Sequence, residues 1–175
     1  MNEASLQRLP KKTLIKLIQT YAKNWLTVDG LWFTNVEDRF GTDVAVELDL
    51  KMWKRQVVIE TKRLLEIFNA VEKTPQDVLD IIDAWTSSVV FSFEVEKVDS
   101  KRAIFYYPHC RMQEARVRHG RGEFPCKDVG IAAFGICAEM VNPDMKLRCI
   151  FCPPDKHPND CWCRWEIYLS SATSK

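Results

Sequence analysis

The sequence lacks the features that mark a nucleic-acid-binding or membrane protein. Its 25 Lys and Arg residues almost balance its 24 Asp and Glu residues, which leaves a net charge of +1 at pH 7. This balance gives no general attraction to nucleic acid or to an anionic membrane surface. No apolar run is long enough to span a bilayer, and residues 1–8 contain no apolar signal core. We therefore expect a cytoplasmic protein whose partners are neither nucleic acids nor membranes.

Cysteine, in contrast, is plentiful, with seven residues in a chain of 175. Cytosolic thiols stay reduced, so clustered cysteines in such a chain more often bind metal or catalyse reactions than form cross-links. Hydrophobic residues make up 46% of the chain, enough to form a core. We predict a single domain over residues 1–175, with a helical half at about 1–85 and a cysteine-rich sheet half at about 86–170.

Apolar residues recur with helical spacing through the first half of the chain. They predict one helix that begins near Pro10 and either continues past Gly30 or breaks there, and in both cases ends near Gly41. Thr42 or Asp43 can begin the next helix, which extends to Phe68. A shorter helix follows the Thr74-Pro75 pair, since proline is favoured at the first helical position.

The second half changes to the alternating pattern of strands. Alternation from Thr86 to Glu96 predicts a strand, and residues 103–107 predict its hairpin partner. Helices are predicted at about 111–118 and 127–141, and a second hairpin at 146–151 and 161–169. The predicted fold is α+β, with N-terminal helices packed on an antiparallel sheet of about four strands in a hairpin–helix–hairpin order.

Four cysteines, with the spacing C-x2-C-x8-C-x-C, lie in the last predicted hairpin: Cys149, Cys152, Cys161 and Cys163. A C-x2-C pair places two thiolates near one ion, and the opposite strand brings a third. Residues i and i+2 of a strand lie roughly 6.6 Å apart, whereas sulfurs around one zinc lie on the order of 4 Å apart. Cys161 and Cys163 are therefore not expected to bind the same ion.

A fourth ligand must then come from elsewhere in the chain. Cys126 is suitable because it begins a predicted helix, where thiolate is favoured, and Cys110 competes for the role. We predict a zinc or iron–sulfur site of Cys126, Cys149, Cys152 and Cys163. For any single cysteine the simpler interpretation is a small buried hydrophobe, and we adopt it for Cys137.

An alternative is a hydrolase of a small carboxylate, with Cys110 or Cys126 as the nucleophile. Both lie near a basic segment of the chain that contains Arg111 and Arg116. Positive neighbours lower the pKa of a thiol, and arginines can hold a carboxylate. We therefore predict Arg111 and Arg116 as residues that bind an anionic ligand.

Asp29 and Trp32 fall near one helical face with Phe33 and Glu37. Acidic residues among so many aromatic side chains can line a pocket, so we also predict Asp29 and Trp32 as ligand-binding residues. A third hypothesis follows, in which the protein is a small-molecule sensor. A homo-oligomer is compatible with the sequence.

Several sequence blocks together resemble an uncharacterised family of cytosolic proteins from anaerobic bacteria and archaea. These blocks are 25–33 with Val36-Glu37 and Gly41, then 110–116, 124–127, 148–155 and 163–165. Members of that family are sometimes grouped with L-2-amino-thiazoline-4-carboxylate hydrolase-like proteins. More remotely, the hairpin–helix–hairpin resembles the 4-vinyl-reductase-type small-molecule-binding domain.

The resemblance implies a role for five of the seven cysteines: Cys110, Cys126, Cys149, Cys152 and Cys163. It does not require Cys137 or Cys161. Five thiols exceed the four that one ion normally takes, so the resemblance implies that one is a spare, a bridge or a reactive residue.

Overall fold

The computed structural model describes residues 2–68 and 73–170, which form helices, a hairpin, two further helices and a second hairpin. The helices described are α1 (Glu3–Gln7), α2 (Lys11–Phe40), α3 (Thr42–Phe68), α4 (Pro75–Asp83), α5 (Arg111–Arg118) and α6 (Lys127–Val141). The strands described are β1 (Glu94–Val98), β2 (Arg102–Tyr107), β3 (Met145–Phe151) and β4 (Cys163–Leu169). The predicted α+β class with its four-stranded antiparallel sheet is confirmed.

Helices α2 and α3 form a hairpin that closes at Gly41. Helix α2 passes through Gly30 without a break, so the continuous helix is the correct one of the two predicted alternatives. Gly41 ends α2 with a φ of 87°, a conformation that residues with a Cβ rarely adopt, and α3 begins at the next residue. Across the hairpin, Trp25 and Trp53 meet edge to face with ring centroids 5.9 Å apart.

Strand β1 begins later than the alternating pattern predicts. Residues 86–91 form turns, and the strand begins only at Glu94. Polar side chains hold these turns: Ser88 Oγ donates to the carbonyl of Ile82 at 2.6 Å, and the backbone N–H of Thr86 donates to Glu60 on α3 at 2.7 Å. These side-chain bonds replace the backbone hydrogen bonds that a sheet would provide. The strand predicted over residues 86–93 is therefore wrong.

The sheet has the order β1-β2-β4-β3, so the two hairpins meet along β2 and β4. Phe105 on β2 pairs with Trp165 on β4 at the centre of the sheet. Helix α6 packs on this sheet with Phe134, whose ring stacks on Trp85 at 5.6 Å and meets the Trp165 ring at 5.1 Å. The position of α6 therefore depends on an aromatic core to which α6, the residues just after α4 and the sheet all contribute.

Gly130 on α6 tests this packing. A Cβ added there would lie 2.7 Å from two carbons of the Trp165 ring, which is 1% exposed and enclosed by its neighbours. We expect Gly130→Ala to lower the free energy of unfolding by about 1–3 kcal/mol, because the ring has no free space to move into. Gly30 on α2 has open space, so Gly30→Ala should raise that free energy by about 0.5–1 kcal/mol through helix propensity. Urea denaturation measures both, and equal stability of the two variants would contradict the packing.

Candidate functional site

Two cysteines from distant parts of the chain meet at the start of α6. Cys126 directly precedes α6, and Cys152 directly follows β3. Their Sγ atoms lie 3.3 Å apart. Lys127 holds this contact in two ways, since its N–H donates to the carbonyl of Pro153 at 3.0 Å and its ammonium group pairs with Asp155 at 2.8 Å. The start of the helix and the loop after β3 are thus joined at one residue.

Gln113 on α5, which sequence reasoning missed, positions Cys126 from the other side. Its Nε2 donates to Cys126 Sγ at 3.4 Å and to the carbonyl of Phe124 at 2.8 Å. Its Oε1 accepts the N–H of Phe124 at 2.7 Å. The side chain is 1% exposed, so these bonds are made in the interior, where a lost partner is costly. The only signal in the sequence was its position three residues after Cys110.

Cys163, the first residue of β4, joins the same group of thiols. It lies close enough to Cys152 to influence the pKa of that thiol. The contact with Cys126, then the influence of Cys163 and burial, raise the pKa of Cys152 far above its usual value. The bond from Cys152, helped by Gln113, lowers the pKa of Cys126. Within the Cys126–Cys152 pair, Cys126 is therefore the thiol that loses its proton more readily.

Cys110 and Cys149 lie in the same electrostatic neighbourhood. Burial, with smaller contributions from the charges of Cys126 and Cys163, raises the pKa of Cys110 to about 12 and that of Cys149 to about 11. Cys137 lies elsewhere, fully buried in the core beside a threonine of α3. The five thiols that the family resemblance marks are thus neighbours.

The thiols are not arranged with the geometry of a metal site. Among the described His, Cys, Asp and Glu residues, no group of three or more is arranged to hold a metal ion. Of the predicted ligands, Cys126 and Cys152 are in hydrogen-bonded contact, while Cys163 and Cys149 are near enough for an electrostatic influence. Their closest separation, 3.3 Å, is shorter than the distance of about 3.8 Å between two sulfurs that each bind one zinc at about 2.3 Å. The sulfurs are arranged as hydrogen-bonded neighbours.

A cavity of about 520 Å³ lies beside these thiols, between α2 and the sheet half. Four of the cysteines line it: Cys110, Cys126, Cys152 and Cys163. Most of the remaining lining is aromatic or aliphatic and includes Phe33, Trp53, Trp85, Phe91, Tyr107, Phe124, Phe134 and Trp165. The predicted ligand-binding residues Arg111 and Arg116 also border it. Its size and apolar walls are typical of sites for small organic molecules.

A second cavity, of about 270 Å³, lies between α2 and α3. The predicted ligand-binding residues Asp29 and Trp32 line it, together with Asp49 of α3. Asp29, Phe33 and Asp49 also border the larger cavity, so the two spaces adjoin. Burial, and then the charge of Asp29, raises the pKa of Asp49 to about 7.

Arg116 makes a buried ion pair that the sequence did not predict. Its Nη1 and Nη2 donate to the two carboxylate oxygens of Glu37 at 2.9 and 2.8 Å. Arg121 donates to Glu37 at 2.9 Å as well. Sequence analysis grouped Glu37 with residues that can line a pocket. In the structure Glu37 borders neither cavity and binds two arginines instead. Both terminal nitrogens of Arg116 thus bind Glu37.

Comparison with known proteins identifies the family of this chain. A model of a family of unknown function, DUF6125, matches residues 7–169. The chain belongs to the DUF6125 family. Searches of the curated proteins and of the solved structures each found no match. None of the helices described for this DUF6125 chain combines the length and apolarity needed to cross a membrane.

The Glu37–Arg116 pair should contribute strongly to the stability of this DUF6125 protein. We expect Glu37→Gln to lower the free energy of unfolding by about 3–5 kcal/mol, because it leaves a buried guanidinium without its counterion. Asp38→Asn is the matched control, since Asp38 is exposed and its solvent-screened pair with Arg121 should contribute little to stability. Thermal and urea unfolding of both variants test this expectation. Similar losses in the two variants would show that the buried pair contributes no more than the exposed one.

Asp49 should give the protein a characteristic dependence on pH. Its pKa is about 7 in the folded chain and about 3.9 in an unfolded one. The stability contributed by the protonated group is therefore complete below about pH 4 and is lost as the pH rises through about 7. We expect Asp49→Asn to be more stable than the unsubstituted protein at pH 8, with the difference disappearing towards pH 4. Unfolding curves at several pH values measure this, and Glu66→Gln on the exposed part of α3 is the control. A constant difference across the range would show that Asp49 has an ordinary pKa.

Proposed function

We propose that this protein is a cytoplasmic metal-binding protein whose centre is formed by Cys126, Cys149, Cys152 and Cys163. The metal is zinc or the iron of an iron–sulfur cluster, and the centre borders a cavity that binds a small molecule. The observation that carries the proposal is the 3.3 Å contact between Cys126 and Cys152, which joins thiols separated by 26 positions in the chain. In a reducing compartment this pair is not expected to form a disulfide, so metal binding best accounts for the contact.

The hydrogen bonds among the thiols support this function. Metal ligands must lose their protons, and metal binding releases them. The pKa of Cys126 is lowered, so it is suited to be the first ligand, whereas Cys152, whose pKa is raised, holds a proton that a metal would displace. Zinc and iron–sulfur clusters both accept sets of cysteine sulfurs. The side chains would have to move apart slightly to surround an ion.

Cys149 is the fourth ligand in this proposal. It lies on β3, three residues before Cys152, and it does not line the large cavity. Cys110 does line that cavity, so it stays available to a bound molecule. This assignment agrees with the resemblance, which implies five thiols for a site that needs four.

A hydrolase remains the second candidate, because Cys126 combines a lowered pKa with a place on the cavity wall. The resemblance to L-2-amino-thiazoline-4-carboxylate hydrolase-like proteins points in the same direction. Cys110 is a weaker nucleophile than Cys126, because burial raises its pKa to about 12. All three histidines are described, and none hydrogen-bonds to Cys110 or Cys126, so neither thiol has a histidine base in place.

Metal content decides between these functions. Protein purified without air should carry about one zinc ion per chain, or a brown iron–sulfur cluster, because four thiols satisfy one such centre. Cys152→Ser should lose most of this metal, since Cys152 contacts Cys126 and is one of the four proposed ligands. Elemental analysis and an absorbance spectrum measure both results.

Cys137→Ser is the matched control, because Cys137 lies in the core away from the group and should leave the metal content unchanged. A protein without stoichiometric metal, in which one thiol reacts with iodoacetamide far faster than the other six, would replace the metal function with the hydrolase. Equal metal loss from Cys137→Ser and Cys152→Ser would show that the loss reflects unfolding and would contradict the assigned ligands.

A further inference from the structure

The smaller cavity, between α2 and α3, has walls unlike those of the larger one. It combines two carboxylates, Asp29 and Asp49, with the rings of Trp25, Trp32 and Phe33. The rest of its lining is aliphatic apart from Gln56 and includes Val28, Val36, Ala45, Leu48 and Met52. At about 270 Å³, the space is large enough for a small organic group.

The two carboxylates have no counterion within the part of the chain that the structure describes. Neither Asp29 nor Asp49 takes part in any ion pair of the described residues, and the one hydrogen bond assigned to either joins Asp49 to the side chain of Trp53. They are close enough that the charge of Asp29 raises the pKa of Asp49. Two like charges in partly apolar surroundings destabilise a fold unless one takes up a proton or something positive binds between them. The cavity thus lacks a positive charge.

The walls determine what kind of cation fits. Hard metal ions such as Ca²⁺ and Mg²⁺ need six or more oxygen ligands, which aromatic and aliphatic walls do not supply. An organic ammonium group needs fewer oxygens, because the faces of tryptophan and phenylalanine rings attract it as well. Carboxylates among aromatic rings therefore favour an amine over an inorganic cation.

We infer that this cavity binds the ammonium group of a small organic amine, whose apolar body extends into the larger cavity. Asp29 and Asp49 bind the charge, while Trp25 and Trp32 cover it. Asp29, Phe33 and Asp49 border both cavities, so the body of the amine can pass between them towards the thiols. This inference deepens the ligand-binding part of the proposed function and does not require a metal at the cysteines.

Three soluble probes with the same aromatic body test the charge preference: 2-phenylethylamine, 2-phenylethanol and phenylacetate. Binding is measured by calorimetry and by tryptophan fluorescence on the full chain at pH 8. The amine should bind at least about tenfold more tightly than the alcohol, consistent with an ion pair supported by cation–π contacts, and phenylacetate should bind most weakly. Equal binding of amine and alcohol, tighter binding of phenylacetate, or no binding of the amine at millimolar concentration would overturn the inference.

Variants then locate the site. Asp29→Asn and Asp49→Asn should each weaken the binding of 2-phenylethylamine about tenfold or more and leave that of 2-phenylethanol nearly unchanged, because only the charge is removed. Glu66→Gln, an exposed carboxylate of the same helix hairpin, is the control and should bind the amine normally. Trp32 is 72% exposed, so Trp32→Leu should fold even if the aspartate variants do not, and it should also weaken amine binding. Unchanged amine binding in the folded variants would place the amine elsewhere.

The metal proposal and this inference can fail separately. Cys152→Ser should lose metal yet bind 2-phenylethylamine as the unsubstituted protein does, because the carboxylates do not depend on the thiols. A metal-free protein that still prefers the amine would contradict only the metal centre. A metal-loaded protein with no preference for the amine would contradict only the cation site.

Discussion

The buried ion pair between Glu37 and Arg116 is the constraint on which the large cavity depends. Glu37 lies near the end of α2, and Arg116 lies on α5 beside the sheet, so their two short hydrogen bonds hold the helical half against the sheet half. Phe33 and Phe124 meet edge to face next to this pair at 5.1 Å. Because a carboxylate–guanidinium pair in the interior has strict geometry, it fixes how α2 lies over the space between the two halves. That space is the large cavity.

The thiol wall of the cavity has a separate origin. It forms where the start of α6, the end of β3 and the start of β4 converge, and the Lys127–Pro153 backbone bond holds the first two together. Gln113 adds α5 to the same point through the peptide of Phe124. Hydrogen bonds between separate elements therefore bring the cysteines together, whereas the Glu37–Arg116 ion pair sets the opposite wall. Changes to one wall can leave the other intact.

The sequence predicted features that depend on local periodicity better than features that depend on distant pairing. Helical spacing correctly predicted α3 and α6. The chemistry of a helix start singled out Cys126, and the structure brings it into contact with Cys152. The start of β1 was wrong because Thr86 and Ser88 bond to Glu60 and Ile82, partners that alternation does not reveal. Glu37 and Arg116 are 79 positions apart, and no local pattern distinguishes a charged residue that will pair from one that will face solvent.

The same ion pair also limits which arginines can meet a ligand. The arginines near α5 suggested an anionic ligand, but Arg116 and Arg121 already bind the carboxylate of Glu37. Arg111, which also borders the large cavity, makes no ion pair among the described residues. The smaller cavity differs, because no lysine or arginine lines it and its two carboxylates, Asp29 and Asp49, are free of any ion pair among the described residues. Electrostatic complementarity there favours a positively charged ligand, which would bring the helix hairpin the counterion that it lacks.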